Sequence, residues 1–474
     1  MGGRSAVKRF VLVVFTALLV LAGATVWWLK LESGPPSVEV ENAKDVVGRS
    51  AAWDVIVRAK GHPGLRRIDV GLRAGGQLYP LFSEELPVDG PRVSERRVRV
   101  EADLAAAGVP QGPARLEIAA DTNAWHVSGG TRGALVTREL TIDTVPPRVD
   151  LLTTQHNMRL GGTSLAVFRL DPDAVEAHID VGDYSFPAVR GYFADPAVAL
   201  ALFAVPQSLT VSARPVLRAS DAAGNVQQIT LPVLIKDRTF PERQLQIDDA
   251  FLQRKVPEIL NAVHKPVPAD LKEGYLTVNR DVRRESEERL RALAARSADH
   301  QLWSGVFHRQ SNAAPMSAFA DRRSYLYHGE LIDKQTHLGY DLASLTNAAV
   351  EAAQDGVVVY ADYLGIYGNT VVIDHGLGVF SLYGHLSSIG VQVGQQVKSG
   401  ESIGQTGDTG LAAGDHLHFS IMLRGVHVDP VEWWDPLWMR DHIAARLTSL
   451  PPAQRTATEP PATADALAHG QATP

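Results

Sequence analysis

With 474 residues, 45% of them hydrophobic and 21% charged, the chain is globular in composition and too long for one ordinary core, so two to four domains are expected. A net charge of -7 without a basic patch argues against a nucleic-acid partner. There is no cysteine, which excludes disulfides, thiolate zinc sites, cysteine nucleophiles and lipid attachment through an N-terminal cysteine, so any metal must be held by His, Asp or Glu.

Phe10 to Leu29 reads FVLVVFTALLVLAGATVWWL, with Arg4, Lys8 and Arg9 before it and Trp27-Trp28 near its end. An uncharged apolar run of about 20 residues spans a bilayer, the basic flank belongs on the cytoplasmic side and the tryptophans suit the far interface. Residues 1-9 are then cytoplasmic, 10-29 form a transmembrane anchor, and the body lies in the periplasm or otherwise outside the cytoplasm. The competing reading is a cleaved signal peptide, because Ala22-Gly23-Ala24 resembles a small-residue cleavage site.

From Ser37 to Ile235 short alternating runs such as WDVIVRAKG, RVRVEADL and ARLEIAADT are broken by Gly, Pro and Asp, which predicts antiparallel sandwiches. Pro146-Pro147 removes ladder donors and sets a boundary between a first β-sandwich, 37-145, and a second, 146-240. The segments TIDTVPPRV and ASDAAGNVQQITLPV resemble the joints and last hairpin of bacterial immunoglobulin-like domains, which implies a spacer or binding role, with cell-wall or divisome proteins as partners.

Residues 246-300 change to helical spacing in DDAFLQRKVPEILNAV and SEERLRALAARSA, and read as a helical connector whose second helix opens near Ser286. From 303 to 438 the chain is β-rich again with glycines at its turns. The tail from 450 to 474 has too little apolar content to pack and is expected to be disordered.

The chemistry gathers in the β-rich C-terminal part. In Gly414-Asp415-His416-Leu417-His418-Phe419-Ser420-Ile421, strand alternation points His416, His418 and Ser420 to one face and Leu417, Phe419 and Ile421 to the other. In an extended His337-Leu338-Gly339-Tyr340-Asp341, His337, Gly339 and Asp341 share a face, and Gly339 leaves room between two ligands. His337, Asp341 and His418 make two imidazoles and a carboxylate, a set that suits zinc with a fourth position for water. His416 can take that water's proton as general base, and His385 can orient the water or stabilise an oxyanion; spacing does not decide between them. Each motif alone is expected about once by chance in a chain with 16 histidines.

The ordered set His337-x-Gly339-x-Asp341, Tyr367-Gly368-Asn369-Thr370-Val371-Val372-Ile373-Asp374-His375-Gly376, Tyr383-Gly384-His385-Leu386-Ser387, Ile403-Gly404-Gln405-Thr406-Gly407 and Gly414-Asp415-His416-Leu417-His418-Phe419 resembles the M23 metallopeptidases of the lysostaphin or LytM type, over about Met316 to Pro430. The resemblance implies an antiparallel β peptidase domain at 303-438, one zinc per chain on His337, Asp341 and His418, catalytic histidines His385 and His416, and peptidoglycan as substrate, cleaved at a stem or cross-link peptide bond. The fold class expected is mainly β, with two immunoglobulin-like sandwiches, a helical connector and a C-terminal LytM-type domain.

Three positions depart from the family's pattern. Asp415 stands for proline, Ser420 for glutamate and Ala320 for glycine, and none removes a ligand. Asp415 is placed to raise the pKa of His416 or to orient its second nitrogen. The alternative function is a latent or silent LytM-type regulator that binds wall or activates a wall amidase. Family members of that kind lack several metal or catalytic residues, whereas this chain keeps all five. His62, His126, His156, His178, His264, His300, His308, His328, His427 and His442 have no spacing partner and read as surface or packing residues, and His375 as structural. Arg322 and Arg323 read equally as ligands for acidic groups of the wall polymer or as a solvated face.

Overall fold

The apolar run near the N-terminus is one continuous helix, Gly3–Lys30. Its segment Phe10–Trp28, with a mean hydropathy of 2.5, is long and apolar enough to cross a membrane. Thr16 and Thr25 turn their hydroxyls back onto the carbonyls of Leu12 and Leu21, at 2.8 and 2.7 Å, so neither hydroxyl needs water. The computed structural model describes residues 3-30, 35-60, 64-87, 91-124 and 133-453. His62, His126 and the tail from 454 onward lie outside the described residues.

The chain is mainly β, as the alternating runs predict, and divides into two compact units. The first comprises 1-147 with the short pieces 173-175 and 220-226. A three-stranded antiparallel sheet (Ser37–Glu41, Ser50–Arg58, Glu95–Asp103) and a five-stranded sheet containing Leu65–Ala74, Gly112–Thr122 and Gly133–Ile142 share one core. Trp53, Val55 and Val100 enter that core from one sheet and Ile68, Leu72, Leu116 and Ile118 from the other. Asn225 closes the end of this unit, donating to the Asp143 carbonyl at 2.8 Å and to Asp221 at 2.9 Å.

The second unit comprises 148-172, 176-219 and 227-474. Its strands Thr163–Leu170 and Val198–Ala204 are antiparallel neighbours and almost continuously buried on both faces. The cause is the C-terminal helical segment, whose Arg446 reaches across to donate to Ser164 Oγ, the Leu165 carbonyl and the Gln155 carbonyl. A strand covered on both sides reads as an apolar run rather than an alternating one.

The larger sheet of this unit runs in the order Ala314–Ser317, Tyr340–Ala343, Leu417–Leu423, Val379–Leu386, Asn369–Asp374, Gly356–Tyr363, Gln396–Val397. Its pairs are antiparallel. A small sheet beside it joins Glu242–Ile247, Asp321–Tyr327 and Glu330–His337, the first pair parallel and the second antiparallel.

The helices of the supposed connector are part of this core. Asp249–Ala262 and Leu271–Thr277 are followed by a π-helical turn, Val278–Val282, that runs into Arg283–Ala294. Leu252, Val256, Tyr275, Val282 and Leu290 pack with Val372, Phe380, Leu382 and Met422 of the sheet and with Ile366 in the turn before Asn369–Asp374. The Leu and Ala periodicity marked an apolar face correctly, but periodicity does not name what that face packs against. Nor does the last helix open at Ser286, which sits inside it with its hydroxyl on the Val282 carbonyl at 2.7 Å. Gly365, at φ 45°, permits the close approach there, since a β-carbon would stand 2.7 Å from Val282 Cγ1.

Candidate metal centre

Strand register assembles the site. Ser317 pairs with Asp341, Asp341 with His418 and His418 with Gly384, a row across four neighbouring strands. His337 ends a strand of the small sheet opposite Asp321 and swings in from the side. The stretch His337 to Asp341 therefore does not run as one strand, because it turns from one sheet to the other at Leu338-Gly339. The space above Gly339 is also not open. A β-carbon there would overlap the His418 ring and stand 2.6 Å from Ser420 Oγ.

Three donor atoms converge. His337 Nε2 is 2.9 Å from Asp341 Oδ1, His418 Nδ1 is 3.0 Å from the same oxygen, and the two nitrogens are 3.0 Å apart. The outer contacts settle where the protons are. His337 Nδ1 faces the Ala318 carbonyl at 3.1 Å, and a carbonyl can only accept. Ser420 Oγ donates to the Leu338 carbonyl at 3.1 Å, so it must accept from His418 Nε2, also at 3.1 Å. With both rings neutral, the inward nitrogens present lone pairs to each other and to a carboxylate oxygen.

Such a cluster fits a cation. A tetrahedral zinc with bonds of about 2.0–2.1 Å sets donor-donor edges of about 3.3 Å, close to this triangle. The remaining oxygen of Asp341 accepts from Arg323 Nη2 at 3.0 Å, so every donor group also has an outer partner. Burial would push the Asp341 carboxyl up, but His337, His416 and His418 outweigh it and hold it well below its usual range. Burial lowers His418 to about 4 despite the neighbouring Asp341 carboxylate.

His385 and His416 stand beside the triangle, their rings 4.8 Å apart, with His416 Nε2 3.5 Å from Asp341 Oδ1. His385 Nδ1 donates to the Thr409 carbonyl and His416 Nδ1 to the Gly414 carbonyl, both at 2.8 Å, which leaves each Nε2 for the centre. Burial and the nearby His416 push His385 well down, whereas Asp341 more than offsets burial and raises His416. His385 also holds φ 64°, a strained backbone angle for a residue with a side chain. All five residues expected at the site are thus together, each 3 to 6% exposed, at the bottom of a cleft of about 840 Å³. The strand Glu242–Ile247 and the start of helix Asp249–Ala262 line its other side through Leu245, Phe251 and Arg254.

Asp415 does not act on His416. Its Oδ2 accepts from the Asn347 amide at 3.1 Å, while the outer nitrogen of His416 is already taken by a carbonyl. Ala320 keeps the φ of 61° that suits glycine, and its amide donates to the His337 carbonyl at 2.8 Å. His375 is fully buried, with Nδ1 2.8 Å from the Asp355 carbonyl and Nε2 2.7 Å from Ser381 Oγ.

Several site residues were not legible as such. Arg322 and Arg323 are neighbours with different fates: Arg322 lies against Phe240 near Glu242, and Arg323 points into the site. Ser420 was on the correct strand face, but its bond to His418 had no sequence signal beyond that alternation. Tyr367 lies with its ring 5.1 Å from that of His418 and donates to Glu287 of helix Arg283–Ala294 at 2.6 Å. Burial would raise the Glu287 carboxyl, but His427 and Tyr367 hold it at about 2.

An antiparallel sheet that converges two imidazoles and a carboxylate, with two further imidazoles alongside, defines a candidate hydrolytic metal site. Residues 335-430 match the model of Peptidase family M23, so the chain carries an M23 peptidase domain. It is 40% identical over 107 residues to the DD-carboxypeptidase/endopeptidase Mpg of Neisseria meningitidis serogroup B, a match covering 23% of this chain and 25% of that one. It is 39% identical over 95 residues to the murein hydrolase activator EnvC of Escherichia coli, covering 20% and 23%. The chain therefore spans about a quarter of the length of these curated relatives. Among solved structures, the catalytic domain of the antimicrobial peptidase lysostaphin from Staphylococcus simulans aligns at 28% identity and a TM-score of 0.22, covering 25% of this chain and 90% of that one.

Proposed function

We propose that this protein is a zinc-dependent endopeptidase acting on peptide bonds of peptidoglycan, anchored by its N-terminal helix with the body outside the cytoplasm. The observation that carries this reading is the convergence of His337 Nε2, Asp341 Oδ1 and His418 Nδ1 within 3.0 Å of one another, with the Nε2 atoms of two further imidazoles beside them. Zinc bound there would supply Lewis acidity and a water of lowered pKa. His385 and His416, each fixed through Nδ1, are placed to accept the proton of the attacking water and return it to the leaving amine. A C–O bond to the water oxygen forms, the C–N bond breaks, and the products are a carboxylate and an amine. Arg323 and Ser420 hold the donors Asp341 and His418 in position.

Metal analysis of the purified chain is expected to find about one zinc, lost in His337→Ala. Digestion of purified peptidoglycan, followed by mass spectrometry of the released muropeptides, is expected to give products that a His418→Ala variant does not. A folded wild type that binds no zinc, or a digest identical to that of the variant, overturns the enzyme reading.

The likeness to a murein hydrolase activator supports a second reading, in which the domain switches on a wall amidase. In that case His418→Ala would stimulate a purified amidase as well as the wild type does, while neither released muropeptides alone.

A further inference from the structure

Helix Asp249–Ala262 lies outside the matched residues 335-430, yet two of its side chains hold the turn on which His385 rests. Lys255 and Glu258, three apart on one face of the helix, pair at 2.8 Å. Lys255 is fully buried, and its ammonium also donates to the Asp408 carbonyl. Glu258 divides its oxygens: Oε2 accepts from Lys255, and Oε1 accepts from the Gly410 amide at 2.8 Å. The buried Tyr363 hydroxyl lies near the same amide but forms no hydrogen bond, so Glu258 is the acceptor. The helix thus grips the chain on both sides of Thr409.

Thr409 is the residue whose carbonyl accepts from His385 Nδ1 at 2.8 Å. That carbonyl and the Gly410 N–H belong to one peptide unit, and because the unit is planar and trans they point in opposite directions. A line of hydrogen bonds therefore runs from a carboxylate through a single peptide to an imidazole. Each bond in such a line polarises the next, so a carboxylate at the N–H end makes the carbonyl at the other end a better acceptor.

The turn has one freedom that Glu258 removes. The Thr409 hydroxyl donates to the Leu386 carbonyl at 2.9 Å and accepts from the Asn369 amide at 3.0 Å, which fixes that side chain. The peptide that follows can still rotate about its flanking bonds, since Gly410 stands at φ 70° and glycine takes either sign of φ. Half a turn would withdraw the carbonyl from His385 and bring an N–H toward it instead. A donor there favours the other tautomer, with the proton on Nε2, the nitrogen that must be free to accept one.

We propose that Glu258 is a positioning residue for His385, holding the Thr409–Gly410 peptide by its N–H so that the peptide's carbonyl keeps the imidazole proton on Nδ1 and leaves Nε2 open toward the metal donors. This rests on the peptidase reading above. Glu258 touches neither substrate nor metal and acts through one peptide.

The test uses the full chain. Removing Glu258 alone strands the buried Lys255, so the main variant is Lys255→Met with Glu258→Leu, which takes out both charges together. Glu258→Gln keeps an oxygen within reach of the Gly410 amide. Three quantities are read: the His385 Nδ1–H resonance by NMR with isotope-labelled histidine, in the zinc-free and the zinc-loaded chain; bound zinc; and kcat and KM on a soluble cross-linked muropeptide dimer. The double variant is expected to shift or lose the resonance, to keep its zinc, and to lower kcat at least about tenfold with KM within about twofold of the wild type. Glu258→Gln should recover part of both the resonance and kcat. Glu285→Ala, which breaks only an ion pair with Lys265, should match the wild type in all three. A double variant with the wild-type resonance and kcat, or one that loses zinc and kcat together, overturns the positioning role. A wild type that hydrolyses no dimer overturns the peptidase reading, while the resonance still decides whether Glu258 acts on His385.

Discussion

Gly339 and His418 occupy the same space from two sides: a β-carbon on the glycine would lie within the volume of the imidazole. The absent side chain is what lets the ring lie flat over the chain between His337 and Asp341 and aim Nδ1 at the other two donors. Gly339→Ala is therefore expected to displace His418 and to lower zinc affinity by at least about 10–100-fold. Equilibrium dialysis against a metal buffer would measure this, and an alanine variant with wild-type affinity would show that the ring can be held another way.

Ser420 fixes which nitrogen of His418 faces the metal. Its hydroxyl is spent on the Leu338 carbonyl, so it can only accept from Nε2. Ser420→Ala should weaken zinc binding by about 10–100-fold, and Ser420→Thr should recover most of it by keeping the hydroxyl. Equal affinities in the alanine and threonine variants would remove the hydroxyl from the account.

Arg323 compensates two buried carboxylates, Asp321 and Asp341. Its removal leaves the fully buried Asp321 with Arg243 as its remaining cation and Ser317 Oγ as a neutral donor, and buried charges stripped of a charged partner cost about 3–5 kcal/mol. Arg323→Ala is expected to lower the denaturant midpoint accordingly. Arg322→Ala, beside it but exposed, should change stability by no more than about 0.5 kcal/mol.

His375 ties stability to pH. Burial lowers its pKa from 6.5 to about 4, so between those values the unfolded chain binds a proton that the folded chain does not. Stability from this residue is fully present above pH 6.5, falls as pH drops through the window, and is lost by about 3 kcal/mol at pH 4. Urea melts of the wild type at pH 7 and pH 4.5 should differ by more than those of His375→Gln. The same difference in both would locate the acid sensitivity elsewhere.

How much of the site was legible follows from sequence separation. His337 and Asp341 are four apart, and His416 and His418 two apart, so strand alternation could propose both pairs, and their chemistry allowed a metal. The groups that hold them in place come from far along the chain: Arg323 reaches Asp341 across 18 residues, and Ser420 reaches Leu338 across 82. Asp415 shows the converse, since adjacency in sequence suggested a bond to His416 that the backbone directs instead to Asn347.

By itself, then, the amino-acid order determined what is local: an apolar segment long enough to cross a bilayer, a predominance of β-strands, helices with one apolar face, and two pairs of metal-competent side chains. Only the tertiary structure decided that those helices pack on the sheet and line the cleft, that Arg323 and not Arg322 enters it, and that Arg243 comes to lie beside Arg323. Periodicity records which side of an element avoids water, but the partner that covers it is chosen by shape and charge over the whole chain.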